Sequence, residues 1–256
     1  MLYDITTLEA RHSVRNYTVE PVADNIRRHL QADITMANSH EAGINLQLRF
    51  DDPGPLEGFR RSYGMFRNAS NYLAAVIDPT FGYAAERAAF HSQHFVMEAL
   101  AYGLGSCFIS GSFAPGHTDV QKEVYETLPF IVAFGHAAER TQTGVSALLT
   151  RAIHGRKMAP REFFAGTDAE YSRALELFPW LETGLRGMAC APSASNRREA
   201  RIALTSRNGK YVLEAFSSKI YRESPLDLGI AKFNFMAPLP VEGEWEWGEH
   251  GAFTTF

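Results

Sequence analysis

Near the start of this 256-residue chain, Arg11-His12-Ser13-Val14-Arg15-Asn16-Tyr17 places two guanidiniums and a hydroxyl on one short segment. An Arg-x-Ser-x-Arg spacing suits a phosphate that carries a polyol, because guanidinium forks bind phosphate bidentately. Far downstream, Ala191-Pro192-Ser193-Ala194-Ser195-Asn196-Arg197 combines small side chains with backbone amides, so a flat ring could approach the main chain. Each fragment has an ordinary alternative. Three polar residues in five also make a solvated helix end, and Ser193 or Ser195 could cap a helix.

Other segments also carry residue types that could do chemistry. Gly103-Leu104-Gly105-Ser106-Cys107-Phe108-Ile109-Ser110-Gly111 invites a nucleotide-loop reading. It follows a helical pattern rather than a strand, and Phe108 stands where a third glycine is needed, so a dinucleotide fingerprint is not expected. Gly103 and Gly105 serve as a helix stop. Gly155-Arg156-Lys157-Met158-Ala159-Pro160 suits either an anion site or a solvated basic linker. His91 and His94 share one helix face, but no Asp, Glu or Cys stands at ligand spacing, and no metal is expected. Neither a nucleophile elbow nor a Walker loop is present.

The elements that must position these residues follow from periodicity. Thr6 or Thr7 can cap a short helix leading into Arg11, and Glu20-Pro21-Val22 opens a second. Ile44, Leu46, Leu48 and Phe50 alternate with polar residues as a half-buried strand does. Leu73 to Ile77, Cys107 to Ile109 and Phe130 to Phe134 read as buried strands, with a long helix from Glu86 to Tyr102. Arg151 to Gly166 is a polar connector. Beyond it come a helix from Ala169 to Met188 broken at Pro179, two strands joined at Asn208-Gly209, and a helix from Asp227 to Met236. The tail from Trp245 to Phe253 suggests a final strand or an arm against a neighbour. Ala37 to Leu46 can also be laid on Ser195 to Leu204 without a gap, matching Asn, Glu, Ala, Ile and Leu, which points to two diverged halves.

Composition narrows the class. Hydrophobic content of 45% and charged content of 21% are ordinary for a globular protein. A net charge of −4 offers nothing to nucleic acid or an anionic membrane. The two cysteines, Cys107 and Cys190, lack CxxC spacing. Asp4, Glu9 and Glu20 interrupt any secretory signal, and the apolar runs are too short to span a bilayer. A cytoplasmic location is expected.

Together the two opening fragments resemble the motifs of the FMN-dependent nitroreductase family, in particular its fused-repeat subfamily. The resemblance runs from Arg11 to about Phe164 and from Gly187 to about Met236. It implies an α+β fold, with a mixed, mostly antiparallel sheet flanked by helices. Two unequal halves, residues 1–166 and 167–256, would be arranged with pseudo-twofold symmetry. It implies FMN as cofactor, with Arg11, Ser13 and Arg156 at the phosphate and ribityl chain and Lys157 behind them. Arg15 would lie at the pyrimidine edge, and the N–H of Ser110 or Gly111 would point at flavin N5. Pro192, Ser193, Ala194, Ser195 and Asn196 would pack at the ring.

In that family the last segment comes from the second subunit of a dimer. Fusion and pruning of two subunits would explain why the motifs lie so far apart here. Met36-Ala37-Asn38-Ser39-His40 lacks the Pro-Ser start, so one flavin site per chain is expected. Arg198-Glu199-Ala200 departs from the family's usual Gln-Pro-Trp, and Arg61-Ser62-Tyr63-Gly64-Met65 departs from its usual polar contact. The implied activity is hydride transfer from NAD(P)H to the flavin, then two-electron reduction of a quinone or nitroaromatic by a ping-pong scheme. The flavin carries the chemistry, and Arg15 tunes it. Alternatives are dehalogenation or flavin breakdown on the same fold, or a non-catalytic FMN-binding protein. The chain would be a monomer that mimics a dimer, or a homodimer.

Overall fold

The computed structural model describes residues 2–58, 62–138 and 158–256. The chain separates into two compact units, one formed by Arg11–His154 and the other by Met1–Ala10 with Gly155–Phe256. Helix α1 (Ile5–Ala10) belongs to the second unit. Its cap is Asp4 rather than a threonine. The Asp4 carboxylate accepts from the Thr7 amide at 2.7 Å and the Thr7 hydroxyl at 2.6 Å. A carboxylate three residues ahead of Thr7 takes the orphan amide before either threonine can.

In the Arg11–His154 unit, α2 (Asp24–His40) starts three residues after Pro21. Val22 is buried ahead of the helix instead of inside it. Strand β1 (Ile44–Arg49) alternates in burial as its sequence does, whereas β2 (Asn71–Ile77) is buried on both faces. Helix α3 (Ala84–Ala101) follows, then β3 (Gly105–Ile109) and β4 (Thr127–Gly135). The four strands form an antiparallel sheet in the order β1-β2-β4-β3. One face buries Val14, Tyr17, Tyr72, Cys107, Ile109 and Ile131 in a single cluster. On α3, Phe95 meets Phe134 of β4 edge-on at 5.2 Å.

The second unit has α4 (Asp168–Leu177), capped by Thr167 in a capping box with Glu170. After the break at Pro179 comes α5 (Leu181–Ala189). Strands β5 (Ala200–Arg207) and β6 (Lys210–Ser217) form a hairpin. Its two turn residues, Asn208 and Gly209, have φ of 51° and 77°, as a type I′ turn requires. Helix α6 (Ser224–Met236) leads to β7 (Gly243–Trp245) and β8 (Gly251–Thr255). The sheet order is β5-β6-β8-β7, again antiparallel. The tail is thus a hairpin inside this sheet, because Trp245 and Phe253 bury themselves against Phe235 of α6 at 5.4 and 6.0 Å. Buried Lys232 ties α6 to the turn between β7 and β8 by donating to the Glu246 and Gly248 carbonyls, both at 2.9 Å.

The antiparallel expectation is met in two four-stranded sheets. Both run hairpin, helix, strand, strand, with the fourth strand lying between the second and third. No helix among the described residues is long and apolar enough to cross a membrane.

Candidate functional site

The Arg11–Tyr17 segment is extended and lies along the edge strand β3. Ser13 bridges Ser106 in parallel, and the Val14 amide donates to the Ser106 carbonyl at 2.8 Å. Alternate residues of an extended chain share a face, so Arg11, Ser13 and Arg15 line up while Val14 turns into the core. Gly105 makes this approach possible, since a Cβ there would stand 2.5 Å from Val14 Cγ2. Further along, the Arg67 amide donates to the Arg15 carbonyl and the Tyr17 amide to the Arg67 carbonyl, each at 3.0 Å. The Tyr17 hydroxyl then donates to the carbonyls of Val14 at 2.7 Å and Ala133 at 3.2 Å. The aromatic that closes the motif is therefore a buried staple between this segment and β4.

The three polar side chains of the motif gather around Cys107, a residue whose role the sequence did not disclose. Burial raises the Cys107 thiol's pKa. The Arg15 and Arg11 charges and hydrogen bonds from Ser13 and Arg15 oppose that rise without cancelling it. Burial outweighs the two cations, and the thiol form is favoured. Tyr17 is also pushed well up, first by burial and then by Cys107, with Arg15 opposing.

Ser110 and Gly111 follow directly on β3. Ser110 lies four residues beyond Ser106, roughly 13 Å at the usual strand rise. A Cβ placed on Gly111 would meet nothing within 4 Å, so the backbone there faces open space. Arg11, Ser13, Arg15, Ser110 and Gly111 accordingly belong to one unit and one edge of its sheet. Arg156 and Lys157 lie outside the described residues.

Pro192, Ser193, Ala194, Ser195 and Asn196 form a tight loop ahead of β5 in the second unit. Ser195, Asn196 and Arg198 all adopt the left-handed region, with φ of 52°, 56° and 53°. Much of the loop's backbone is already engaged. The Asn196 amide donates to the Ser193 carbonyl at 3.0 Å and the Arg197 amide to the Ala194 carbonyl at 3.2 Å. The Arg198 amide donates to the Ser193 hydroxyl at 3.0 Å. The Ala194 amide donates to both oxygens of Asp227, at 2.9 and 3.1 Å. An approaching ring would meet the outside of this turn, where Ser195 is exposed, rather than a row of open amides. Asn38, aligned with Asn196 in the other half, is committed to β1, trading hydrogen bonds with the Leu46 amide and carbonyl at 2.8 Å each.

Asp227 and Tyr221 were not legible as partners of this loop. Asp227 sits in the first turn of α6, 7% exposed, and Tyr221 donates its hydroxyl to it. Burial pushes the Asp227 carboxyl up to about 6, against the pull of its Tyr221 and Ala194 hydrogen bonds. Its acidic neighbour Glu223 adds to the rise and Arg197 opposes it. The one available signal was a carboxylate inside the apolar run Leu226 to Ile230.

His91 and His94 do meet carboxylates, two from outside their helix and one, Glu98, four residues beyond His94 on the same helix, a spacing the sequence reading passed over. His91 lies 3.4 Å from Glu41, and His94 lies 3.3 Å from Asp33 of α2 and 3.9 Å from Glu98. Arg87 shares Glu41 at 3.3 Å. Among the described residues no group of three or more His, Cys, Asp or Glu is placed to hold a metal ion.

Residues 4–238 match the model of the family described as "Putative TM nitroreductase". The chain belongs to this nitroreductase family. The matched span takes in the Arg11–Tyr17 segment, the whole first sheet, the Pro192–Asn196 loop and α6. Among solved structures, this nitroreductase-family chain is similar to a "putative nitroreductase" from Thermotoga maritima. The match has 19% identity and a TM-score of 0.60, covering 100% of this chain and 94% of that one. That likeness shows the nitroreductase-like α+β fold. An FMN-dependent nitroreductase from Clostridium difficile matches at 17% identity and TM-score 0.43, over 60% of this chain and 99% of its own. A nitroreductase with bound FMN from Bacteroides fragilis matches at 16% identity and TM-score 0.44, over 55% and 91%. No curated protein matches the chain.

Proposed function

We propose that this nitroreductase-family protein is an FMN-dependent NAD(P)H oxidoreductase that reduces a small organic acceptor, a quinone or a nitroaromatic. The observation that carries the reading is the Arg11–Arg15 segment running along the edge strand β3, bridged at Ser13 and Ser106, with open backbone at Gly111. The donor set fits the cofactor: two guanidiniums and a hydroxyl suit a phosphate with a polyol. Open backbone lets a planar group approach. When bound, FMN would supply the two-electron chemistry.

The chain's own residues bind and orient. Arg11 and Ser13 hold the phosphate and ribityl chain, and Arg156 and Lys157 add charge there. Arg15, fixed through its carbonyl by the Arg67 amide, would keep a cation at the pyrimidine edge. A preset charge favours negative charge at that place without reorganisation. An N–H of Ser110 or Gly111 donates toward N5.

The shared strand order of the two sheets supports an origin by fusion of two copies, residues 1–166 and 167–256. The Arg-x-Ser-x-Arg motif occurs only in the first copy, and Asn38 is spent on β1, so one FMN per chain follows. Free thiols at Cys107 and Cys190 suit a reducing compartment and favour the cytoplasm. The deciding experiment is to load the purified protein with FMN and add NADH or NADPH under nitrogen. Bleaching of the visible flavin bands, at a rate compatible with turnover of a quinone, is expected. Binding without bleaching would leave a flavin carrier, and no binding would overturn the cofactor itself.

A further inference from the structure

We propose that Arg197, Arg198 and Arg201, with Lys219 and Arg222 alongside, form an anion site in the second unit for a ligand that carries two or more phosphate charges. The site lies within one compact unit and does not depend on the flavin reading.

The charge is local and unpaired. The chain as a whole carries a net charge of −4. In the same unit Arg161 pairs with Asp168 at 2.9 Å, Arg173 with Glu176 at 2.9 Å, Arg186 with Glu9 at 3.5 Å and Arg207 with Glu214 at 2.6 Å. None of the cations of the patch stands within ion-pair distance of a carboxylate among the described residues. Its two stretches form one surface, because Ala200 pairs with Ser217 and the Ser218 amide donates to the Glu199 carbonyl at 2.8 Å. The carboxylates nearby are engaged elsewhere. Glu199 accepts from the Ser218 hydroxyl, Glu162 from the Ala159 amide, and Asp227 from the Ala194 amide and Tyr221.

The three guanidiniums are held by neutral groups. Arg197 lies over the Tyr221 ring at 4.3 Å. Arg198 Nε donates to Asn196 Oδ1 at 2.8 Å. Arg201 folds back on the loop, where its Nη1 donates to the Arg198 carbonyl at 2.6 Å and the Ala200 carbonyl at 2.8 Å. These contacts aim each fork without neutralising it, and they leave further N–H donors on all three. Arg201 is half-buried, and burial lowers its pKa against the charges of Glu199 and Glu162. A bound anion offsets that cost, since an opposite charge favours the charged form. A merely solvated face needs neither aimed forks nor a half-buried cation. Guanidinium forks take phosphate oxygens in pairs, and a multivalent anion bridges cations that otherwise repel. Ile220, 72% exposed between Lys219 and Tyr221, brings an apolar side chain to the same edge. The phosphate can therefore belong to a soluble ester or to a lipid headgroup.

The test uses pyrophosphate as probe and compares wild type with Arg197→Ala/Arg201→Ala, Lys219→Ala/Arg222→Ala and Arg11→Ala. Two readouts are taken at low salt: the dissociation constant by calorimetry, and amide hydrogen exchange with and without the probe. Pyrophosphate should slow exchange across residues 195–201 and 217–222 of wild type. Arg197→Ala/Arg201→Ala should weaken binding at these segments by about tenfold or more, as loss of charge-assisted bonds predicts. Lys219→Ala/Arg222→Ala alters exposed positions only, should weaken binding severalfold, and stands in if the first variant does not fold. Arg11→Ala acts on the other unit and should leave the protection in place. Sedimentation with vesicles of phosphatidylcholine and phosphatidylglycerol assigns the source. Co-sedimentation that Lys219→Ala/Arg222→Ala abolishes means a lipid headgroup, and none means a soluble phosphate ester. Pyrophosphate that protects neither segment, or affinity that both double variants leave unchanged, would overturn the site. So would protection that disappears in Arg11→Ala. An absence of FMN binding would overturn the functional reading and leave this result standing.

Discussion

Arg11 and Arg15 flank Ser13 symmetrically in sequence, yet the structure gives them different surroundings. The Arg15 carbonyl accepts from the Arg67 amide and the Arg67 carbonyl from the Tyr17 amide, and of the two guanidiniums that of Arg15 weighs more on the Cys107 thiol. In the proposed site Arg11 meets phosphate and Arg15 meets the ring, and two substitutions separate these roles. Arg11→Ala should weaken FMN by about tenfold or more, while riboflavin, lacking phosphate, binds both proteins alike. Calorimetric titration with the two ligands checks this, and equal FMN affinities would remove Arg11 from the site. Arg15→Ala should lower the midpoint potential of the bound flavin, and Arg15→Lys should keep most of it, since charge matters more there than fork geometry. Loss of FMN binding with no change in potential would make Arg15 a second phosphate ligand. This motif was readable because its chemistry lies within five residues. Cys107 and Asp227 were not, because their partners are set by strand pairing and helix packing across 92 and 33 residues, distances no local pattern encodes.

At the scale of elements, periodicity located nearly every helix and strand, and errors fell at ends and partners. Helix α2 starts late because Val22 is more stable buried ahead of it than turned along it, and Asp4 displaced two threonines as the cap of α1. Strand order was not legible: nothing local in β4 says that it inserts between β2 and β3. The interface of α2 with α3 carries a consequence of the same kind. Burial alone would lower the His94 pKa, but its hydrogen bond to the Asp33 carboxylate and the charges of Asp33 and Glu98 outweigh it, and the net shift is upward. A raised folded value means that this pair stabilises fully below the ordinary histidine value of 6.5 and loses its contribution as pH rises through the folded value. Urea unfolding of wild type and His94→Gln between pH 5 and about 9 should show wild type losing stability more steeply, with the two curves converging at the alkaline end. Parallel curves would mean that the α2–α3 pair contributes nothing.

At the scale of the whole chain, the same strand order appears twice among the described residues while the Arg-x-Ser-x-Arg motif appears once. The motif lies along β3 at the edge of the first sheet, and Asn38 ahead of β1 is committed to Leu46. On the proposed reading, FMN titration of apoprotein should therefore end at one equivalent per chain. Two equivalents would sink the argument from unequal copies. A single flavin would also limit the kinetics. In the proposed reaction donor and acceptor take turns at one ring. Steady-state rates with NAD(P)H and a quinone should therefore give parallel double-reciprocal lines, the pattern of a ping-pong scheme. Excess acceptor should compete with the donor, because both seek the space above the ring. Intersecting lines would mean a ternary complex and would overturn the proposed scheme.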